Sequence, residues 1–305
     1  MILSASRRTD IPAFYTPWLI NRFKEGYVIT RNPFNPNQVS KISLSPELVD
    51  CIVFWTKDPG PMLQSLEWLD RYHYYFQFTL TPYDKSIEPN LRDKRDLLET
   101  FVTLSKRLGK ERVLWRYDPI LLRGKYTLAY HKQAFQRMCE KLCRYTETVT
   151  FSFIDCYKKI KTDLRALEKE EILELGQFLG KIGREYGLKV RTCCEAVDLS
   201  EYGIQKGRCI DPGLIERICG GRLEISRDKN QRPACGCCES IDIGAYDTCL
   251  HGCAYCYATQ SMETARRNHT AHRWESPLLI GEVTEREKLK ERKVKSNIHW
   301  QSKLF

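Results

Sequence analysis

Six short runs of apolar, β-branched or aromatic residues recur along the first two thirds of the chain. Stretches of helical period alternate with them, and this alternation narrows the fold more than any other feature. The runs are Ile2–Ser6, Cys51–Thr56, Tyr74–Leu80, Arg112–Tyr117, Thr148–Ile154 and Leu188–Thr192. Leu97, Leu98, Phe101, Leu104 and Leu108 mark one helix face, which Gly109 ends. Ile172, Leu175, Leu179, Ile182 and Tyr186 mark a second, closed by Gly187, and a third helix spans roughly Leu128 to Tyr145. Strand and helix alternating at this spacing predict parallel βαβ units and an α/β fold. The stretch 27–44, with Asn-Pro-Phe-Asn-Pro-Asn at its centre, reads as an inserted hairpin.

The strand ends carry the chemistry. Successive runs lead into Arg7-Arg8-Thr9-Asp10, Lys57-Asp58, Thr81-Pro82-Tyr83-Asp84, Asp118-Pro119 and Asp155-Cys156. In parallel α/β sheets and barrels the carboxyl edge is where ligands bind. Asp and Pro are also common turn and cap residues, but Arg7, Arg8 and Arg116 have no turn chemistry to explain them. No glycine-rich phosphate loop of the dinucleotide-binding or Walker type is present, which argues against those nucleotide sites. His73 and His131 are isolated and read as structural. Cys139 and Cys143, one helical turn apart, read as packing.

Cysteine distribution is the second constraint. Of 14 cysteines, four precede residue 190 and ten fall between Cys193 and Cys256. Without a secretory h-region in MILSASRRTDIP, the clustering reads as metal or cluster ligation in a cytoplasmic protein rather than as disulfides. The composition is that of a folded chain, 42% hydrophobic and 29% charged. No apolar run approaches the ~18 residues of a membrane helix, so no membrane partner is expected. The net charge of +10, part of it in a basic stretch after Glu285, favours acidic or phosphate-bearing partners.

The tightest motif is Cys249-x3-Cys253-x2-Cys256. Three soft sulfur ligands within eight residues suit one iron–sulfur cube, with a fourth iron left free, and Gly252 lets the backbone curl. Zinc is the rival, since Cys253-x2-Cys256 is also a zinc half-site that Cys235, Cys237 or Cys238 could complete. The triplet, with an aromatic before its last cysteine, resembles the signature of the radical S-adenosylmethionine (SAM) superfamily, and HGCAYCYA resembles its spore-photoproduct-lyase-like branch. The resemblance implies a [4Fe-4S] cluster on Cys249, Cys253 and Cys256. It also implies SAM on the open iron, Tyr255 lining the adenine site, and an electron donor such as flavodoxin or ferredoxin.

That superfamily carries the motif near the N-terminus, whereas here it begins at residue 249. Ser240–Tyr246 reads as the strand before it and Ser261–Asn268 as the helix after it. The expected fold is therefore a partial or full TIM-like barrel, circularly permuted so that the motif strand comes last and pairs beside Ile2–Ser6. A separate cluster domain on an unrelated α/β domain is the alternative. The expected organisation is barrel units over 1–192, a cysteine-rich segment over 193–239, a last strand, loop and helix over 240–280, and a basic tail over 281–305.

Along the whole chain, SASRRTDIPAFY, RNPFNP, FWTKDP, FQFTLTPYDKSIEP, WRYDPI, CIDPGLI, KNQRPACGC and SIDIGAYDTCLHGCAYCYA resemble an uncharacterised bacterial and archaeal family, domain of unknown function 1848. Cys193, Cys209, Cys235 and Cys237 sit in phrases similar to that family, and four thiolates suit an auxiliary [4Fe-4S] cluster or a structural zinc. Arg7, Arg8, Asp10, Lys57, Arg116, Asp118 and Asp155 are candidates for contacting SAM or substrate, and Cys156 for donating a hydrogen atom. The expected function is a radical SAM enzyme on an unidentified substrate: nucleic acid, a phosphorylated metabolite or a peptide. The alternatives are a zinc-stabilised nucleic-acid-binding protein and an iron–sulfur electron carrier or sensor.

Overall fold

A computed structural model describes residues 1–155 and 164–300 of the chain. In chain order the strands are β1 (Ile2–Ala5), β2 (Tyr27–Asn32), β3 (Asn35–Ser43), β4 (Cys51–Thr56), β5 (Tyr74–Thr79), β6 (Val113–Ile120), β7 (Thr148–Phe153), β8 (Lys189–Thr192), β9 (Gln205–Lys206), β10 (Arg222–Leu223), β11 (Ile241–Asp242), β12 (Lys288–Glu291) and β13 (Ile298–His299). The helices are α1 (Ile11–Phe14), α2 (Thr16–Glu25), α3 (Lys94–Leu108), α4 (Leu128–Leu142), α5 (Lys169–Glu185), α6 (Pro212–Cys219) and α7 (Met262–Ala271). A 3-10 helix, Gly60–Leu69, makes the crossover from β4 to β5.

Eight strands form one sheet in the order β11-β1-β4-β5-β6-β7-β8-β9, and every neighbouring pair is parallel. Each of the six expected strands is present within about three residues at its ends. The sheet is open among the described residues, with the two-residue strands β9 and β11 at its edges, so a closed barrel is not formed. The expected pairing of the last strand with the first is observed, with Leu3 opposite Ile241 and Ser4 opposite Asp242.

Parallel strands bury both faces, and the residues alternate accordingly. Ile52 and Phe54 join the main core with Leu97, Phe101 and Leu104 of α3. Their neighbours Cys51 and Val53 face a second core with Tyr75 and Leu114, covered by α6 and the cysteine-rich segment. Helix α3 starts where the Asp93 carboxylate accepts from Arg95 N–H at 2.8 Å and stops at Gly109. His131 lies fully buried between Tyr117 and Leu121 O, a structural role as expected. Cys139 is buried in the same core.

The expected hairpin is present as β2 and β3. The stretch after 281, expected as a solvated tail, instead gives β12, which pairs parallel with β3, and β13, which pairs with β10.

Candidate functional site

The carboxyl ends of β1, β4, β6 and β7 open into one cavity of about 450 Å³, within the usual range for small-molecule sites. Its walls include both cysteine sets. The wall at Ser6 and Arg7 is held in place by how β11 docks. Asp242 accepts from the Ser4 and Ser6 hydroxyls at 3.0 and 2.6 Å and from the Arg7 N–H at 2.8 Å. Gly244 permits this approach, since a Cβ there would lie 2.0 Å from Ser6 Oγ. Asp10 is a clamp: Oδ1 caps α1 through Ala13 N–H, while Oδ2 faces Lys57 N–H at 2.7 Å and His251 Nε2 at 2.8 Å.

Cys249, Cys253 and Cys256 face this cavity from a loop tied down at several points. The side-chain amide of Asn90 donates to Leu250 O at 2.8 Å, and Ala254 N–H donates to Ile87 O at 2.9 Å. Gly252 takes a φ of +69°, and a Cβ there would press within 3.1 Å of Asn90 Nδ2. The Tyr255 hydroxyl donates to Glu88, and Lys57 Nζ lies 5.2 Å from the Tyr255 ring centroid.

Glu88 is the hub beneath this loop. Its carboxylate, 1% exposed, takes the Lys57 ammonium at 2.8 Å, the Lys94 ammonium, the Tyr255 hydroxyl and the Thr81 hydroxyl at 2.9 Å. Desolvation raises its pKa, but the two lysine charges prevail and bring it down to about 2. Burial pushes the Cys253 thiol up to about 12 and the Cys249 thiol well above its ordinary value, so as free thiols both hold their protons. Such buried thiols become ligands when a metal displaces the proton, and a buried three-thiol set fits a soft cluster.

Cys193, Cys209, Cys235 and Cys237 converge from three segments, as expected. Cys193 and Cys209 sulfurs lie 3.2 Å apart, and either can be the donor. Interaction with the Cys209 and Cys235 thiols pushes Cys237 down, and interaction with Cys193 and Cys237 pushes Cys209 up. Cys238 instead turns to Ile210 O at 3.5 Å and Cys219 to Asp50 O at 3.2 Å. Every described cysteine is a free thiol. Among the described residues no three His, Cys, Asp or Glu side chains are already set around one ion. The thiols form a row, closer at Cys193–Cys209 than the ~3.8 Å edge of a thiolate tetrahedron built on ~2.3 Å zinc–sulfur bonds, so they must spread to take any metal.

Two guanidinium groups flank this row. Arg116 donates to Cys209 Sγ at 2.8 Å and pairs with Asp118, which also takes the Ser152 hydroxyl. Asp118, expected just beyond a strand, lies within β6. Arg7 and Arg116 sit over Trp55 at 5.2 and 5.3 Å from its centroid. Arg7 Nη2 is buried without a hydrogen-bond partner among the described residues. Arg8 lies over Tyr246 at 5.4 Å. Asp155 pairs with Arg232 at the half-exposed rim. Cys156 lies outside the described residues.

A family described as a domain of unknown function, DUF1848, matches residues 2–258. The chain belongs to the DUF1848 family. The matched span covers all eight strands of the large sheet, both cysteine sets and the Asp242 and Glu88 hubs, and it ends two residues after Cys256. No curated protein and no solved structure matches this DUF1848 chain.

Four residues central to this geometry were not singled out from sequence: Glu88, Lys94, Asp242 and His251. Glu88 and Asp242 lie inside the phrases FQFTLTPYDKSIEP and SIDIGAY, so family resemblance carried the only signal for them. His251, inside the motif loop, is 4% exposed, and its ring packs tilted against Phe14 with centroids 4.7 Å apart.

Proposed function

We propose that this DUF1848 protein is a radical SAM enzyme. Cys249, Cys253 and Cys256 would hold a [4Fe-4S] cluster, and Cys193, Cys209, Cys235 and Cys237 a second cluster. The observation that carries this reading is that the three motif thiols and Tyr255 line one cavity at the carboxyl edge of a parallel sheet, with the motif strand docked beside β1. A partial barrel cut open at a different loop from its relatives accounts for that order, because parallel units keep their contacts when the termini move.

Such a cluster would supply the electron for reductive cleavage of SAM and, through it, the hydrogen-abstracting chemistry of the reaction. A flavodoxin or ferredoxin would deliver the electron. The chain itself positions and shields. Glu88 holds Tyr255 and Lys57 against the motif loop. Asp10 ties the ends of β1 and β4 to His251, so the loop and the strand ends keep a fixed relation. Arg7 and Arg116 would offset the negative charge that four thiolates would bring into the second site.

Iron content tests the ligand assignment. Anaerobically reconstituted protein should hold roughly eight irons, and Cys253→Ala or Cys237→Ala about four. Cys238→Ser should keep the full complement. SAM should alter the electron paramagnetic resonance signal of the reduced Cys237→Ala protein and leave that of Cys253→Ala unchanged. Stoichiometric zinc in a colourless protein would overturn the reading.

A further inference from the structure

A second depression, of about 1170 Å³, adjoins the cysteine cavity, and Arg7, Arg8, Gln231 and Tyr257 line both. One wall is the β2-β3-β12 sheet. Alternation places Lys288 and Lys290 of β12, with Arg292 just beyond it, on one face at a spacing of ~6.7 Å. Register sets Lys288 beside Gln38 and Lys290 beside Ser40, with Thr30 next across. The wall is thus a ladder of cations and hydrogen-bonding side chains. The opposite face of the same sheet is apolar, burying Ile29 and Val39 against Leu278.

Two further exposed cations, Lys293 and Lys295, continue the ladder. No carboxylate pairs with Lys288, Lys290, Arg292, Lys293 or Lys295 among the described residues. The depression carries eight basic residues against four acidic ones. Of the acids, Asp242 is spent on β1, and Asp228 takes Asn230 N–H at 2.9 Å and the Gln231 amide at 3.1 Å. Aromatic rings stand at both ends: Phe34, 92% exposed, on the hairpin turn, and Tyr246 and Tyr257 beside the cysteine cavity.

We propose that this groove binds single-stranded nucleic acid and leads one nucleotide toward the motif cysteines. A backbone-tracking row of cations combined with rings on which bases stack is the recognition mode of single strands. An acidic polypeptide would use the cations, but only a nucleic acid offers a ring face at every repeat to stack on Phe34 and Tyr246. A base inside a duplex could not reach a recessed cavity without leaving the stack. The delivery of the nucleotide rests on the radical reading above, whereas the binding does not.

The test is fluorescence anisotropy of the full chain with a fluorescein-labelled thymidine 20-mer between 50 and 200 mM KCl. Five engaged cations give a slope of log affinity against log salt of about −3.5, or roughly 100-fold weaker binding across that range. Lys288→Ala/Lys290→Ala/Arg292→Ala should flatten the slope to about −1.4, and Lys288→Arg/Lys290→Arg should restore it, which separates lost charge from lost fold. Phe34→Ala/Tyr246→Ala should weaken binding by roughly 30-fold or more at unchanged slope. The proposal is overturned if the oligonucleotide does not bind, if the triple variant keeps the parent slope, or if polyglutamate or a 20-base-pair duplex competes as well as the single strand. Since the readout involves no cysteine chemistry, its failure leaves the radical reading standing. Absent SAM cleavage with intact oligonucleotide binding would do the reverse.

Discussion

Replacing Glu88 with Gln keeps the shape of the side chain but removes the charge that two half-buried lysines share. Lys57, 13% exposed, and Lys94, 29% exposed, are then left facing each other without a counter-charge. The magnitude follows from linkage. Glu88 titrates at about 2 in the fold against 4.5 for a solvated glutamate, and each pH unit of depression is worth about 1.4 kcal/mol. Its ionisation therefore contributes about 3 kcal/mol at neutral pH, in line with the cost of breaking a buried ion pair. Unfolding entropy of ~2.1 cal/mol/K per residue gives ~0.6 kcal/mol per degree for a chain of this length, so Glu88→Gln should melt about 5 °C below the parent. The sign fixes the pH window. A depressed carboxylate stabilises fully above 4.5 and loses that contribution as pH falls from there through about 2. The gap between parent and variant should thus be constant from pH 6 to 8 and close progressively below about 4.5. Circular dichroism melts at pH 7 and pH 3.5 measure both arms. A variant melting within 1 °C of the parent at pH 7, or a gap that persists unchanged at pH 3.5, would refute the account of Glu88 as a charged hub.

His131 offers a second pH window of opposite origin. Leu121 O only accepts, so Nε2 carries the proton and Nδ1 takes the Tyr117 hydroxyl at 2.9 Å, which leaves the ring neutral. Burial lowers its pKa to about 4, so the unfolded chain gains a proton first, and stability should fall by about 3 kcal/mol between pH 6.5 and 4. His131→Gln should flatten that slope in urea titrations at each pH. Gly244→Ala should drive a methyl into Ser6 Oγ and separate β11 from β1, costing several kcal/mol and exposing the bond after Asp242 to limited proteolysis. Of the adjacent pair, Cys193→Ser should lose the iron of the second site, while Cys194→Ser should retain it, because Cys193 is the thiol in contact with Cys209.

The large sheet was legible because strands buried on both faces appear as unbroken apolar runs, as in Cys51–Trp55 and Tyr74–Phe76. Its failure to close was not, since closure depends on two edges that are only two residues long and carry no period of their own. Strand β12 escaped for a related reason: Lys288-Leu289-Lys290-Glu291 is exposed throughout and buries no face that would mark it. The cysteine sets were legible from spacing and resemblance; what spacing does not carry is how neighbours part, with Cys193 touching Cys209 and Cys238 turned to Ile210 O. Glu88 was illegible on its own terms. A carboxylate in a loop looks like a solvated charge until Lys57, Lys94 and Tyr255 arrive from three other segments.

The most direct test of the central reading is anaerobic. The reconstituted protein is treated with dithionite and SAM, and 5′-deoxyadenosine is quantified by mass spectrometry, with Cys253→Ala as control. The account predicts 5′-deoxyadenosine from the parent and none from the variant. A protein with intact clusters that forms none, and whose reduced spectrum ignores SAM, would contradict it and leave an electron carrier or sensor in its place.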